Sequence, residues 1–154
     1  MANLDPLIQS IPVAPLKLAS LEGCRTHADQ VSNYLVSFRH ESPTNVGQAD
    51  SLQGYCADSY LLECECPRFG SGEGKGVLKE SVRGCDLFIK VDVTNYSLTY
   101  RVNGYENHMS PDNHYQDLKR IISAADGKAR RINVIMPFLY EGRQHKRSKR
   151  ESLD

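Results

Sequence analysis

The sequence predicts an α/β fold in which an open, mostly parallel sheet is flanked by helices. Two observations predict it. Short apolar segments rich in branched residues alternate with two segments of helical periodicity along the 154 residues. The last apolar segment, residues 132–139, is nearly all apolar, as expected of a central parallel strand covered on both faces. Ligands of such sheets bind at the carboxyl ends of strands, so the residues after Leu139 are the first candidates for function.

The first elements are a strand, a helix and a long loop. Residues 16–19 form a short apolar strand, and after Gly23 the apolar residues recur at helical spacing. Thr26 is positioned to cap this helix. Residues 39–60 are polar, contain Pro and Gly, and have no sustained period, which predicts a loop or an insertion. The apolar positions of the helix are Ala28, Val31, Tyr34, Leu35 and Phe38.

The middle of the chain is predicted to contain two strands and two loops. Residues 61–66 predict a strand that ends at Pro67. Residues 70–76 hold four glycines at alternate positions, a pattern typical of a loop or a bent strand that can approach something closely. Residues 86–93 are rich in branched and aromatic residues, which predicts a strand. Residues 95–109 are predicted to be a polar, tyrosine-bearing loop.

The second helix has clear start and stop signals. Ser110 can cap it, Pro111 suits its first turn, and Asp112 complements the helix dipole. Gly127 is well placed to end it. Ser152 resembles the start of a further helix, so we expect a fragment or a shortened protein, and the alternative is a frayed natural tail. The apolar face of the second helix comprises Tyr115, Leu118, Ile121, Ile122 and Ala125.

Composition excludes some classes of function. The 19 basic and 19 acidic residues balance to a net charge of zero, so overall charge gives no reason to expect nucleic-acid binding. No apolar run approaches the roughly 20 residues that span a bilayer, and no secretory signal is present, so we expect a cytoplasmic protein without membrane contact. The odd number of cysteines, five, favours free thiols. Cys64 and Cys66 lack the second pair that a zinc site requires.

A basic segment follows the last strand. Five of the eight residues from Arg143 to Arg150 are Arg or Lys, and guanidinium groups suit phosphate oxygens. Gln144 could contact a base or ribose edge, and His145 could donate to a phosphate. These residues predict a polyphosphate site at a strand end. Charge alone favours the alternatives, a solvated basic tail or a nucleic-acid patch.

The glycine-rich segment, the histidines and the serines match no known catalytic motif. The glycine-rich residues 70–76 match neither a Walker A loop nor a dinucleotide fingerprint, and a tight hairpin is the simpler interpretation. The five histidines lie in different predicted elements, so a metal cluster is not expected. No G-x-S-x-G is present to supply a hydrolase nucleophile.

Three segments together resemble the N-terminal domain of PRPP synthetases, the ribose-phosphate diphosphokinases. Residues 68–73 (R-F-G-S-G-E) resemble the family's R-F-x-D-G-E, and residues 80–89 (E-S-V-R-G-C-D-L-F-I) resemble its E-S-V-R-G-x-D-V-F-I. Residues 137–144 (P-F-L-Y-E-G-R-Q) resemble its P-Y-x-x-Y-x-R-Q. The resemblance covers residues 16–154, with residues 1–15 as an N-terminal extension and residues 39–60 as an insertion.

The resemblance implies a phosphoribosyltransferase-like fold and an activity. The family uses Mg²⁺ to transfer the terminal diphosphoryl group of ATP to ribose 5-phosphate, and the product, PRPP, feeds nucleotide biosynthesis. It implies a homo-oligomer in which a loop from a neighbouring subunit contacts the adenine. The catalytic residues and the Mg²⁺ ligands are expected beyond Asp154, in a C-terminal domain absent from this chain, which alone should be inactive. The ATP-binding residues implied by matched position are Arg143, Gln144, His145, Phe69, Ser71 and Glu73.

Two departures from the family pattern leave alternatives open. Ser71 replaces the family's Asp, which removes an acceptor for the adenine amino group, and His145 replaces the Asp that follows R-Q. Both departures suit a non-catalytic regulatory subunit of the same fold that assembles with true enzymes. A small basic-tailed α/β module that binds nucleic acid is the third hypothesis, and steep salt dependence of binding would identify it.

Overall fold

A four-stranded parallel sheet is the centre of the structure. The computed structural model describes residues 12–41, 54–143 and 145–150. The spatial order of the sheet strands is β2-β1-β5-β8, and every neighbouring pair is parallel. This arrangement confirms the predicted α/β class. The strands are β1 (Leu16–Ser20), β2 (Leu61–Leu62), β3 (Cys64–Glu65), β4 (Val77–Leu78), β5 (Asp86–Lys90), β6 (Thr99–Val102), β7 (Tyr105–His108) and β8 (Arg131–Ile135).

Strand β8 lies at an edge of this sheet, and the prediction that it is a central strand covered on both faces is wrong. Within the described residues it pairs with β5 alone, and Val134 and Ile135 are 41% and 40% exposed. The strand also ends at Ile135 rather than at Leu139, because Pro137 has no N–H to donate to a ladder. An apolar composition alone does not reveal whether a neighbouring strand is present.

Helix α1 (Arg25–Glu41) follows a 3₁₀ turn at Glu22–Cys24. Thr26 therefore lies inside the first turn of the helix, and the prediction that it caps the helix is wrong. Tyr34 is 69% exposed, so the predicted apolar face is only partly buried. The helix continues to Glu41, three residues into the segment that we predicted to be a loop.

Helix α2 (Pro111–Ala124) matches its predicted signals closely. The Ser110 hydroxyl accepts a hydrogen bond from the Asn113 amide at 3.2 Å, Pro111 occupies the first turn, and Gly127 has a φ of 64° just beyond the end. Its apolar face packs on the sheet and forms the main core. The core cluster is Ala19, Leu21, Leu62, Cys64, Val82, Leu87, Ile89, Val91, Val93, Leu118, Ile121 and Ala125.

Two antiparallel hairpins leave the sheet beyond its carboxyl edge. The predicted strand at 61–66 divides, because β2 joins the parallel sheet while β3 pairs with β4. The predicted loop at 95–109 is instead the hairpin β6–β7, so that prediction is wrong. Asn103 and Gly104 turn this hairpin with φ values of 52° and 81°, the backbone that an Asn-Gly pair favours in a two-residue turn.

Several predicted features lie outside the described residues. These are residues 1–11 of the extension, residues 42–53 of the insertion, Gln144 and the helix start at Ser152. In the portion that the structure does describe, neither helix has the length and apolar character to cross a membrane.

Candidate functional site

Three segments follow the carboxyl ends of parallel strands, and two of them carry the predicted site residues. The glycine-rich hairpin, defined here as residues 66–78, follows β2 and β3 and includes β4. The hairpin β6–β7 follows β5, and the strand-end segment, residues 136–150, follows β8. Because the sheet is parallel, all three leave it at the same edge, where α/β proteins bind ligands.

A buried ion-pair network holds the glycine-rich hairpin on α2. The Arg68 guanidinium donates two hydrogen bonds to the Asp117 carboxylate, at 2.6 and 2.8 Å, and Arg120 donates a third at 2.6 Å. The side chains of Arg68 and Asp117 are only 8% and 6% exposed. The guanidinium carbon of Arg68 also lies 5.1 Å from the Tyr100 ring centroid, so β6 joins the same cluster.

Two glycines allow the hairpin to approach α2 this closely. A Cβ atom on Gly76 would lie 2.4 Å from the Arg120 carbonyl oxygen, and one on Gly74 would lie 2.1 Å from the Arg68 guanidinium. Gly72 has a φ of 91° at the tip of the turn. The interpretation of this segment as a tight hairpin is confirmed, and packing and turn geometry account for three of its four glycines.

The tip of this hairpin presents the predicted residues Phe69, Ser71 and Glu73 to solvent. Phe69 is 55% exposed, and the hydrogen bond from its amide to the Glu73 carbonyl, at 2.8 Å, closes the turn. The Ser71 hydroxyl donates to a Glu73 carboxylate oxygen at 3.0 Å. A cavity of about 380 Å³ lies between this tip and the β6–β7 hairpin. Its lining residues are Ser71, Gly72, Tyr100, Val102, Asn103, Tyr105 and Asn107.

The strand-end segment borders a second cavity, of about 360 Å³, at the carboxyl ends of β5 and β8. Arg143 lies at this cavity and is exposed. The walls of this cavity are largely apolar and aromatic. The cavity therefore places one cationic group beside surfaces that suit a planar ligand. The other lining residues are Val93, Thr94, Tyr96, Pro111, Phe138, Leu139, Tyr140 and Glu141.

Tyr140 ties the strand-end segment to the start of α2. Its hydroxyl donates a short hydrogen bond to the Asp112 carboxylate. This hydrogen bond, followed by burial and the negative charge of Asp112, raises the pKa of Tyr140 to about 12. The Tyr140 ring also packs edge-on against Tyr115, with centroids 5.3 Å apart. These contacts set the path of the chain just before Arg143.

The remaining predicted site residues lie nearby. His145 is exposed, and its Nδ1 lies 3.1 Å from the Arg143 carbonyl oxygen. Gln144 lies outside the described residues. The described cavity beside Ser71 and the described cavity beside Arg143 share no lining residue. A single copy of the chain therefore places Ser71 and Arg143 at separate cavities.

A third cavity, of about 270 Å³, lies over the ion-pair network and was not predicted. Cys64, Cys66 and the buried His114 line it. Burial raises the pKa of the Cys64 and Cys66 thiols, that of Cys66 to about 12, so both are protonated at neutral pH. Over the described ranges, no group of three or more His, Cys, Asp or Glu residues is arranged to hold a metal ion. We did not predict that His114 and Asp117 are buried residues of α2. Helical periodicity marks apolar positions only, and both of these residues are polar.

The comparison with family models identifies one family. A family model described as the N-terminal domain of ribose phosphate pyrophosphokinase matches residues 16–154. Among solved structures, the chain is similar to phosphoribosylpyrophosphate synthetase from Mycobacterium smegmatis, with 22% identity and a TM-score of 0.48. That match covers 90% of this chain and 35% of the solved chain, so this chain spans about a third of its length. No curated protein matches.

Proposed function

Because the chain belongs to the family of N-terminal domains of ribose phosphate pyrophosphokinase, we propose that it is the ATP-binding half of a ribose-phosphate diphosphokinase. The full enzyme would transfer diphosphate from ATP to ribose 5-phosphate and make PRPP for nucleotide biosynthesis. The family match over residues 16–154 is the observation that carries this proposal. We further propose a homo-oligomer, and a cytoplasmic location that suits its five free cysteines.

The arrangement around Arg143 supports an ATP-binding role. The guanidinium group lies at a cavity at the carboxyl edge of the sheet, and it can neutralise phosphate charge through charge-assisted hydrogen bonds. The hydrogen bond between Tyr140 and Asp112 orients the chain that leads to it. His145 is exposed two residues further on and can donate to a second phosphate oxygen.

The diphosphoryl transfer step would need groups from the C-terminal domain. Mg²⁺ is part of the proposal, where it would balance the charge of the ATP phosphates during transfer. Across the described parts of this chain, no three acidic, cysteine or histidine side chains converge as ligands. We propose that this chain binds and orients ATP, and the resemblance implies that the residues of the chemical step lie in the C-terminal domain.

The departures at Ser71 and His145 favour one alternative, a non-catalytic regulatory subunit of the same fold. The Ser71 hydroxyl donates a hydrogen bond to Glu73. It is therefore a weaker hydrogen-bond acceptor for the adenine amino group than a free carboxylate would be. Such a subunit would form dimers or mixed oligomers without binding ATP.

An amide-resolved NMR titration with MgATP tests the proposal. Saturable shifts at residues 136–147 are expected, and Arg143→Ala should weaken ATP binding by roughly 10-fold, as expected for the loss of a hydrogen bond to a charged group. The melting temperature should not change, since Arg143 is exposed. Arg130→Ala, at the opposite end of β8, is the matched control and should leave binding unchanged.

Two outcomes would contradict this function. Equal losses of affinity in the Arg143→Ala and Arg130→Ala variants would indicate that general positive charge, not a site, attracts ATP. Dimerisation without shifts at millimolar MgATP would favour the regulatory subunit instead.

A further inference from the structure

The apolar side chains of α1 lie largely outside the core. Among the described residues, the core cluster contains no side chain of this helix, whose only buried residues are Ala28 and Ser32. The other apolar residues of α1 are partly or largely exposed, and four of them recur at the spacing of one side of a helix. This apolar stripe comprises Val31, Tyr34, Leu35 and Phe38.

The apolar stripe lies on the flank of α1 that is turned away from β2. On the other flank, Arg25 and Asp29 line a cavity together with Leu61 and Leu62 of β2. Helical geometry places the stripe opposite Arg25 and Asp29. Because β2 is at one edge of the sheet and β5 lies on the other side of β1, the stripe faces the side of β5.

The sheet is open on this same side. Leu87 and Ile89 belong to the core under α2, so alternation along β5 directs Phe88 to the face that carries α1. Phe88 is only half-buried, although β5 is a central strand. The register places Ile135 of β8 on this face too, and it is 40% exposed. Parallel sheets are normally covered on both faces, so the described residues leave this face without a complete cover.

The described chain begins beside the apolar stripe. A Cβ atom on Gly54 would lie 3.2 Å from the Pro15 Cβ, so these two residues are in contact. The carbonyl oxygen of the next residue, Tyr55, accepts a hydrogen bond from Arg39 at 2.8 Å. Pro15 is therefore close to the last turns of α1, and residues 1–11 join the described structure at that end of the helix.

Residues 1–11 have the composition and the length to cover the stripe. Asp5 is their only charged side chain, and their aliphatic residues have the same spacing as the stripe. The stripe is about 10 Å long, and these residues reach about 16 Å even at the short rise of a helix. Residues 42–53 also adjoin α1 but are mostly polar, and residues 136–150 leave the sheet at the opposite edge. The aliphatic residues are Leu4, Leu7, Ile8 and Ile11.

We infer that residues 1–11 pack on the apolar stripe of their own chain and complete the cover of this face of the sheet. The stripe offers them a continuous aromatic surface, because the rings of Tyr34 and Phe38 stack with centroids 6.2 Å apart. The start of the chain is then part of the domain, and this side of α1 is an internal interface. Neither ATP nor the cavity beside Arg143 takes part in this contact.

A single tryptophan reports whether the stripe is covered. The chain contains no tryptophan, so Tyr34→Trp introduces one fluorophore on the stripe, and Tyr105→Trp introduces one on the exposed hairpin β6–β7 as the control. In the full chain, the emission of the Tyr34→Trp variant should lie at shorter wavelength and be less quenched by acrylamide than that of the control. Both properties should be independent of protein concentration.

Two neighbouring substitutions in the first residues then identify the cover. In the Tyr34→Trp chain, Ile8→Asp should lower the ratio of covered to uncovered molecules at least about tenfold, as expected when one buried aliphatic side chain is lost. The emission should shift to longer wavelength accordingly. Gln9→Asp adds the same charge one residue further on, outside the aliphatic spacing, and should leave the emission unchanged.

Three results would overturn the inference. Equal emission and quenching of the Tyr34→Trp and Tyr105→Trp variants would mean that nothing covers the stripe. Protection that increases with protein concentration would identify a second copy of the chain as the cover. Protection that persists at all concentrations and does not respond to Ile8→Asp would identify another part of the chain.

Discussion

Replacing Asp117 with asparagine should destabilise the domain strongly. Asp117→Asn retains the shape of the side chain but removes the charge that three hydrogen bonds of 2.6–2.8 Å now share. The Arg68 side chain, 8% exposed, would then remain buried without a counter-charge. Loss of one partner from a buried ion pair costs about 3–5 kcal/mol. For a domain of this size that corresponds to a fall in melting temperature on the order of 10 °C.

Urea unfolding followed by circular dichroism measures this loss. Glu80→Gln is the matched control, because it neutralises a carboxylate that pairs with Lys17 at 2.8 Å while 54% exposed. An exposed pair contributes only about 0–1 kcal/mol. If Asp117→Asn costs no more than Glu80→Gln, then the buried network does not hold the glycine-rich hairpin to α2, and our account of that hairpin fails.

Two further predictions concern the packing of the hairpin and the strand-end segment. Gly76→Ala should cost about 1–3 kcal/mol in urea unfolding, because its Cβ would lie 2.4 Å from the Arg120 carbonyl oxygen. Gly70→Ala, which meets nothing within 4 Å, should be neutral, and equal costs would refute the packing argument. The raised pKa of Tyr140, about 12, means that its hydrogen bond to Asp112 contributes stability below about pH 10 that is lost as the pH rises to about 12. Ultraviolet titration should show one tyrosine that ionises late, and Tyr140→Phe should remove it; an unchanged titration curve would contradict the assignment.

Local signals in the sequence predicted α2 correctly. The signals that start and end this helix, Ser110, Pro111 and Gly127, lie within about one turn of its ends. Their effect on the backbone therefore does not depend on the rest of the fold. The Asn103-Gly104 turn was an equally local signal for the hairpin β6–β7. Only β6 shows a short alternation, with Tyr100 and Val102 on one face, whereas β7 (Y-E-N-H) is polar and mostly exposed, so the pair lacks a sustained strand pattern.

The ion-pair network could not be predicted from periodicity. Arg68 and Asp117 are 49 residues apart, and each belongs to a residue type that is usually exposed. Their pairing depends on how the glycine-rich hairpin crosses α2, which Gly74 and Gly76 permit only once both elements are in place. The same holds for Asn107, which shares a face with Tyr100 because of the register of β6 with β7.

By itself the sequence determined the alternation of the parallel-sheet strands with the two helices, the parallel α/β class and the family resemblance of residues 16–154, because these depend on short-range patterns and on motifs. Only the tertiary structure decided that β8 lies at an edge, that Ser71 and Arg143 border separate cavities, and that Tyr105 and Asn107 face Ser71. Burial and the lining of a cavity depend on contacts between residues far apart in the chain, and those contacts exist only after the elements have packed.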